Sequence, residues 1–321
     1  MTRKKYLSAV SSFFMMLAIG MILSVNAVHA QATFTSPVTS FKAHDLDINT
    51  VVFSPDGEYI LTSSGDRTAK VWTKDGSLMY TLGEHLAQVT TAAFSPDGKY
   101  IATSSGSGTK IWNAQTGKHI TTHKDYFGVC NSVAFSPDSK YIVTGDGNNV
   151  VIWETEGRQV KKMRKQSGLV MSTVFSADGE YIVCGTSNRV ALLWNTKGEL
   201  VKTLRGHQSH YVRNTNFSPD GRYITTASWD DTAKIWTLDG TEVASVAHEG
   251  DVHAASFSPD GQYILTSSSD KTARIWKKDG SLVATFQHDD SILSASFSPR
   301  GDYIVTATKE GKVAVWHFGS R

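Results

Sequence analysis

The pentapeptide Phe-Ser-Pro-Asp-Gly, or a close variant, begins at Phe53, Phe94, Phe135, Phe175, Phe217, Phe257 and Phe297, at intervals of 41, 41, 40, 42, 40 and 40 residues. A tryptophan follows each copy, at Trp72, Trp112, Trp153, Trp194, Trp236, Trp276 and Trp316. Seven copies of so long a unit mean one supersecondary element repeated. A single unit cannot bury its own faces and must stack on its neighbours.

Within a unit, apolar and small residues run up to the phenylalanine, and Ser-Pro-Asp-Gly then makes a tight turn. Proline fixes φ at the second position, aspartate bonds nearby backbone, and glycine accepts positive φ. In the first unit this turn leads to Tyr59-Ile60-Leu61-Thr62. A second turn at Gly65-Asp66 leads to Thr68-Ala69-Lys70-Val71-Trp72, and a third around Lys74-Asp75-Gly76 leads to Leu78-Met79-Tyr80-Thr81-Leu82. The unit holds four short antiparallel strands and has no room for a helix, so the chain reads as all-β.

The strings DRTAKVW (Asp66 to Trp72), DDTAKIW (Asp230 to Trp236) and DKTARIW (Asp270 to Trp276) resemble the WD-repeat family, and the resemblance runs from Phe41 to Arg321. It implies a seven-bladed β-propeller with one four-stranded antiparallel blade per repeat. The chain ends soon after Trp316, and the segment Thr33 to Phe41 precedes the first complete unit. That N-terminal segment is therefore expected to supply the outer strand of the last blade and close the ring, removing exposed sheet edges.

The resemblance also implies a buried network in each blade, made of a histidine before the innermost strand, a Ser or Thr on the second strand, an aspartate in the next turn and the tryptophan. The complete sets are His44, Thr62, Asp66 and Trp72; His207, Thr226, Asp230 and Trp236; and His248, Thr266, Asp270 and Trp276. On paper these look like catalytic triads, but their recurrence assigns them to satisfying buried polar groups. Blade four departs most. It lacks the histidine, carries Cys184 in place of Thr and Asn188 in place of Asp, and is expected to be the least rigid. Blades two and three are one residue shorter between Phe and Trp. Their turns at Gly106-Ser107-Gly108 and Asp146-Gly147-Asn148 differ accordingly, and no helix follows to make the first a phosphate loop.

The first thirty residues read as an export signal: Arg3, Lys4 and Lys5, an apolar run from Phe13 to Leu23, and Val28-His29-Ala30 as a cleavage site before Gln31. The expected organisation is thus a signal peptide over 1–30 and one propeller over 31–321, periplasmic or secreted, with no membrane span after cleavage. An uncleaved anchor is the alternative reading of the apolar run. Of 32 basic residues, removing those three leaves 29 against 30 acidic ones. So neutral a chain does not suggest a nucleic-acid binder. Cys130 and Cys184 fall in neighbouring blades and are expected to be separate thiols rather than a disulfide. No cofactor is expected. A metal at His207 and His210 is disfavoured because no third ligand is visible nearby. Lys161, Lys162, Arg164 and Lys165 form a basic cluster on an outermost strand, read as a solvated edge with an anionic glycan or lipid head group as the alternative.

Family proteins bind partners through one rim, using the residues six and four before the repeat Phe and the residue before the network Asp. By position, blade five offers Tyr211, Arg213 and Trp229; blade six offers Asp251, His253 and Ser269; and blade four offers Leu169, Met171 and Ser187. Trp229 stands outside the tryptophan register, where Gly65 or Ser269 suffices in other blades, and Tyr, Arg and Trp are enriched in interface hot spots. The expected function is a non-catalytic, monomeric scaffold that binds a protein through this rim. The alternatives are a propeller hydrolase or oxidoreductase working in the central channel, and a glycan or cell-wall binding module. The inner strands argue against catalysis because they carry mainly Val, Ala, Thr, Ser and Asn.

Overall fold

The computed structural model describes residues 31–83, 85–124, 130–163, 168–208 and 211–319. The thirty residues read as an export signal, together with Arg164, Lys165 and His210, lie outside them. The described residues form seven β-sheets, antiparallel but for one added strand, and no helix, so no helix among them is long and apolar enough to cross a membrane. Blade one runs Ile48–Phe53, Tyr59–Ser64, Ala69–Thr73 and Leu78–Leu82 from channel to circumference, each strand pairing with the next. The antiparallel order fixes two faces. The Ser-Pro-Asp-Gly turns fall on one, and the connections into the innermost strands share the other, the entry face, with the turns that carry the network aspartates.

The turns work as their chemistry requires. Ser54 donates its hydroxyl to Asp56 and accepts from the amide of Tyr59, and the same Ser-x-Asp arrangement recurs in blades two to six. In blade seven Arg300 replaces the aspartate, and Ser298 bonds Asp302 instead. Ser139 takes the positive φ (62°) that glycine adopts elsewhere, and its hydroxyl accepts from the amide of Asp97 in the preceding blade.

Seven apolar clusters hold the ring together, one at each junction between consecutive blades. Blade seven meets blade one through Val305, Val313 and Val315 against Ile48, Val51 and Trp72. Burial at every junction, at about 25 cal/mol per Å² of apolar surface, is what ties one blade to the next.

The N-terminal segment divides. Thr39–Lys42 pairs antiparallel with Lys312–His317 as the outer strand of blade seven, which closes the ring. Ala32–Phe34 instead pairs parallel with Leu282–Gln287, giving blade six a fifth strand. The Phe34 ring stacks on Phe286 at 4.6 Å, apolar burial that a single four-residue closing strand would leave unused.

Candidate functional site

In blade one His44 Nδ1 lies 2.7 Å from the Asp66 carboxylate, His44 Nε2 lies 2.7 Å from Thr62 Oγ1, and Trp72 Nε1 donates to the same hydroxyl at 3.0 Å. A carboxylate only accepts, so Nδ1 carries the proton, Nε2 accepts from the Thr62 hydroxyl, and that hydroxyl accepts from tryptophan. The geometry repeats at His207, Asp230, Thr226 and Trp236, and at His248, Asp270, Thr266 and Trp276. Burial pulls the pKa of His44 and His248 down more than Asp66 and Asp270 raise it, so both rings are neutral near pH 7. At Asp230 and Asp270 burial opposes ionisation, but hydrogen bonds from the histidine and from Thr232 or Thr272 prevail and hold the carboxyls well below their usual range. The histidine and threonine of each of these three chains are buried, which holds the threonine hydroxyl away from solvent.

The incomplete sets differ. His85 reaches Thr103 at 3.2 Å but its buried Nδ1 has no partner, and burial lowers its pKa to about 4. His123 turns away to the carbonyl of Thr155. In blade four Cys184 is fully buried, with burial pushing its thiol up to about 12, and Trp194 Nε1 makes no hydrogen bond. Cys130 is also buried, and the two cysteines are not bonded to one another. Lys162 pairs with buried Asp146, and Lys161 bonds the carbonyl of Lys197, so these two members of the basic cluster are tied down.

Each innermost strand has a register shift against its neighbour that begins five residues before the repeat phenylalanine: Ile48/Thr50, Val89/Thr91, Cys130/Val133, Val170/Ser172, Val212/Asn214, Val252/Ala254 and Ile292/Ser294. A bulge leaves one residue unpaired and re-aims it. All seven residues four before the phenylalanine line the entry mouth of the central channel, a space of about 290 Å³. In blades one to three they are small and polar and bond the next blade: Asn49 to the carbonyl of Val89, Thr90 to Cys130, and Asn131 to Val170. In blades four to seven they are Met171, Arg213, His253 and Leu293. The sequence pattern marks these positions, but the bulge that turns them inward is invisible in it.

At blades five and six the entry face carries an aromatic group. The rings of Tyr211 and Trp229 lie 5.2 Å apart, Trp229 meets His253 edge-on at 6.1 Å, and Trp229 Nε1 donates to His253 Nδ1 at 3.2 Å. That bond fixes the tautomer, and His253 Nε2 donates to Ser269 Oγ at 2.8 Å. Burial, with Arg213 and Lys309 nearby, lowers the pKa of His253 to about 4. Trp229 thus bridges two blades as well as facing outward. Tyr211 and Leu169 stay 39% and 41% exposed, while Met171, Arg213, Trp229, Asp251 and His253 are half-buried. The carbonyl of Asp251 accepts from the amide of Ser269, and Leu169 exchanges hydrogen bonds with Ser187. The structure therefore joins Tyr211, Trp229, His253 and Ser269, sets Arg213 and Met171 inside the mouth, and holds Leu169 and Asp251 in the surrounding connections. Among the described residues no group of three or more His, Cys, Asp or Glu is placed to hold a metal, and both ring nitrogens of His207 are engaged.

Seven blades, three of them carrying a complete His–Thr–Asp–Trp chain, define a WD-repeat β-propeller. Residues 47–317 match the family described as the IFT122 first beta-propeller, and the chain belongs to that family. A stretch of 47 residues, 15% of the chain, is 40% identical to the target of rapamycin complex subunit LST8 of Saccharomyces cerevisiae. That stretch spans 16% of the yeast protein's length.

Proposed function

We propose that this propeller is a non-catalytic scaffold of the cell envelope or extracellular space that binds a protein partner through the entry-face rim of blades four to six. Tyr211, Arg213, Trp229, Asp251, His253, Leu169 and Met171 form the contact surface. The observation that carries the reading is the Tyr211–Trp229–His253 group. It supplies aromatic area and polar tips on a rigid frame, at a turn where glycine or serine completes other blades. Rigid aromatic anchors lose little entropy on docking, which suits an interface. The match to one subunit of a multi-protein complex is in keeping with a scaffold. The basic start, apolar run and Val28-His29-Ala30 site support export, with a mature chain beginning at Gln31.

The test is affinity capture from the native envelope extract with the mature protein and with Tyr211→Ala and Trp229→Ala variants, each first shown to melt cooperatively. A partner held by the parent and lost by both variants supports the rim. Equal capture by all three sends the search to another face. N-terminal sequencing that recovered Met1 on the exported protein would refute cleavage.

A further inference from the structure

Arg213 differs from every other residue at the channel mouth. Among the described residues that line the channel it carries the sole full charge, and none of them is Asp or Glu. The corresponding polar side chains of blades one to three spend their donors on the next blade, while Met171 and Leu293 have no donor to spend. The Arg213 guanidinium, aimed into the mouth by its bulge, makes no hydrogen bond or ion pair with any described residue. The channel walls desolvate it enough to pull its pKa below the usual guanidinium range. A half-buried cation with no partner among the described residues keeps its donors available to a group that enters the channel. An anion is the group that such a cation attracts most strongly.

The neighbours fit that visitor. Met171 is neutral, and His253 is kept neutral by accepting from Trp229 and donating to Ser269. Lys309 holds, in blade seven, the turn position that Trp229 holds in blade five, and it adds positive potential beside His253. A planar fork of donors suits a carboxylate, which it can grip with two parallel bonds. His253 lines the channel and bonds Trp229 of the rim, so the channel mouth adjoins the proposed contact surface.

We propose that the channel mouth receives an acidic side chain of the protein partner, its carboxylate bound by Arg213. This inference rests on the rim reading. Its test uses the mature protein at low ionic strength, titrated calorimetrically with a short end-blocked peptide bearing one central glutamate, its glutamine counterpart, and inorganic phosphate. The glutamate peptide should bind and raise the melting temperature, and the glutamine peptide should bind at least tenfold more weakly. In Arg213→Met and Arg213→Gln the preference for glutamate should vanish. Equal binding of the two peptides, or an undiminished preference in both variants, overturns the inference. Phosphate binding where the glutamate peptide does not bind overturns it in favour of a free oxyanion. If partner capture is lost with Trp229→Ala and kept with Arg213→Met, the rim stands and the carboxylate falls. If capture survives both, the rim fails while the peptide titration still decides what Arg213 holds.

Discussion

Blades four and five are adjacent and built alike, yet they are held by different forces. Both place their tryptophan opposite an isoleucine, Ile182 with Trp194 and Ile224 with Trp236, and both bury it. Blade five ties its tryptophan into a chain through Thr226 and His207 to Asp230. Blade four has no such chain, and packs Val190, Leu192 and Cys184 into the junction with blade three, where blade five has half-buried Thr232 and Lys234. The strand geometry is therefore set by pairing and apolar burial. The polar chain is a local device whose worth depends on every member being present.

The largest expected effect comes from acid. Burial depresses the pKa of His85, His253 and His288 to about 4, and it also lowers those of His44, His123 and His248. The unfolded chain takes up protons first, near pH 6.5, so the stability these rings contribute is complete above that value. It drains away as pH falls towards 4, by ~1.4 kcal/mol per unit of depression for each ring. None of these residues lies in blade four. Melting curves should fall steeply across that window, and hydrogen-exchange protection should weaken in blades one, two, six and seven before blade four. Blade four opening first would show that the missing chain, and not histidine titration, governs the weak point.

Next in size is Thr226→Val. It strands both His207 Nε2 and Trp236 Nε1 in a buried site and should cost about 3 kcal/mol in denaturant unfolding, because each buried polar atom left unpaired costs about 1–3 kcal/mol. A loss under about 1 kcal/mol would mean that blade five relaxes as blade four does.

Blade four was legible as the odd blade because its three substitutions fall at fixed offsets within the repeat. The apolar packing that replaces the chain was not legible. Whether Leu192 meets Met163 of blade three depends on how neighbouring blades stack. The rim divides the same way. Tyr211, Trp229 and His253 were found by offset alone, but the Trp229 hydrogen bond to His253 spans two blades. Arg213 was grouped with the rim by the same offset, and the assembled ring sets it in the lining of the channel.

A smaller effect should follow from Cys184→Thr, which offers Trp194 Nε1 the hydroxyl it lacks and should stabilise by about 1 kcal/mol. A destabilised variant would show that the packing of blade four has no room for the polar chain. Smallest of all is the thiol signal of the native protein. Cys130 and Cys184 are buried, and the Cys184 pKa is pushed up to about 12, so thiol reagents should label neither until denaturation and then label both without reductant. Native labelling of Cys184 alone would expose local opening of blade four.

What the sequence determined by itself is what local chemistry can specify: seven units, the four strands of each, the turns that join them, and the members of each polar chain. These depend on residues within one repeat, whose spacing is read directly. The tertiary structure alone decided what depends on neighbours brought together by ring closure. It sent Thr39–Lys42 to blade seven and Ala32–Phe34 to blade six, because a strand pairs with whichever open edge buries its side chains. It also set Arg213 in the channel with no hydrogen-bond partner among the described residues, because a bulge redirects a side chain and only the assembled ring shows what it meets.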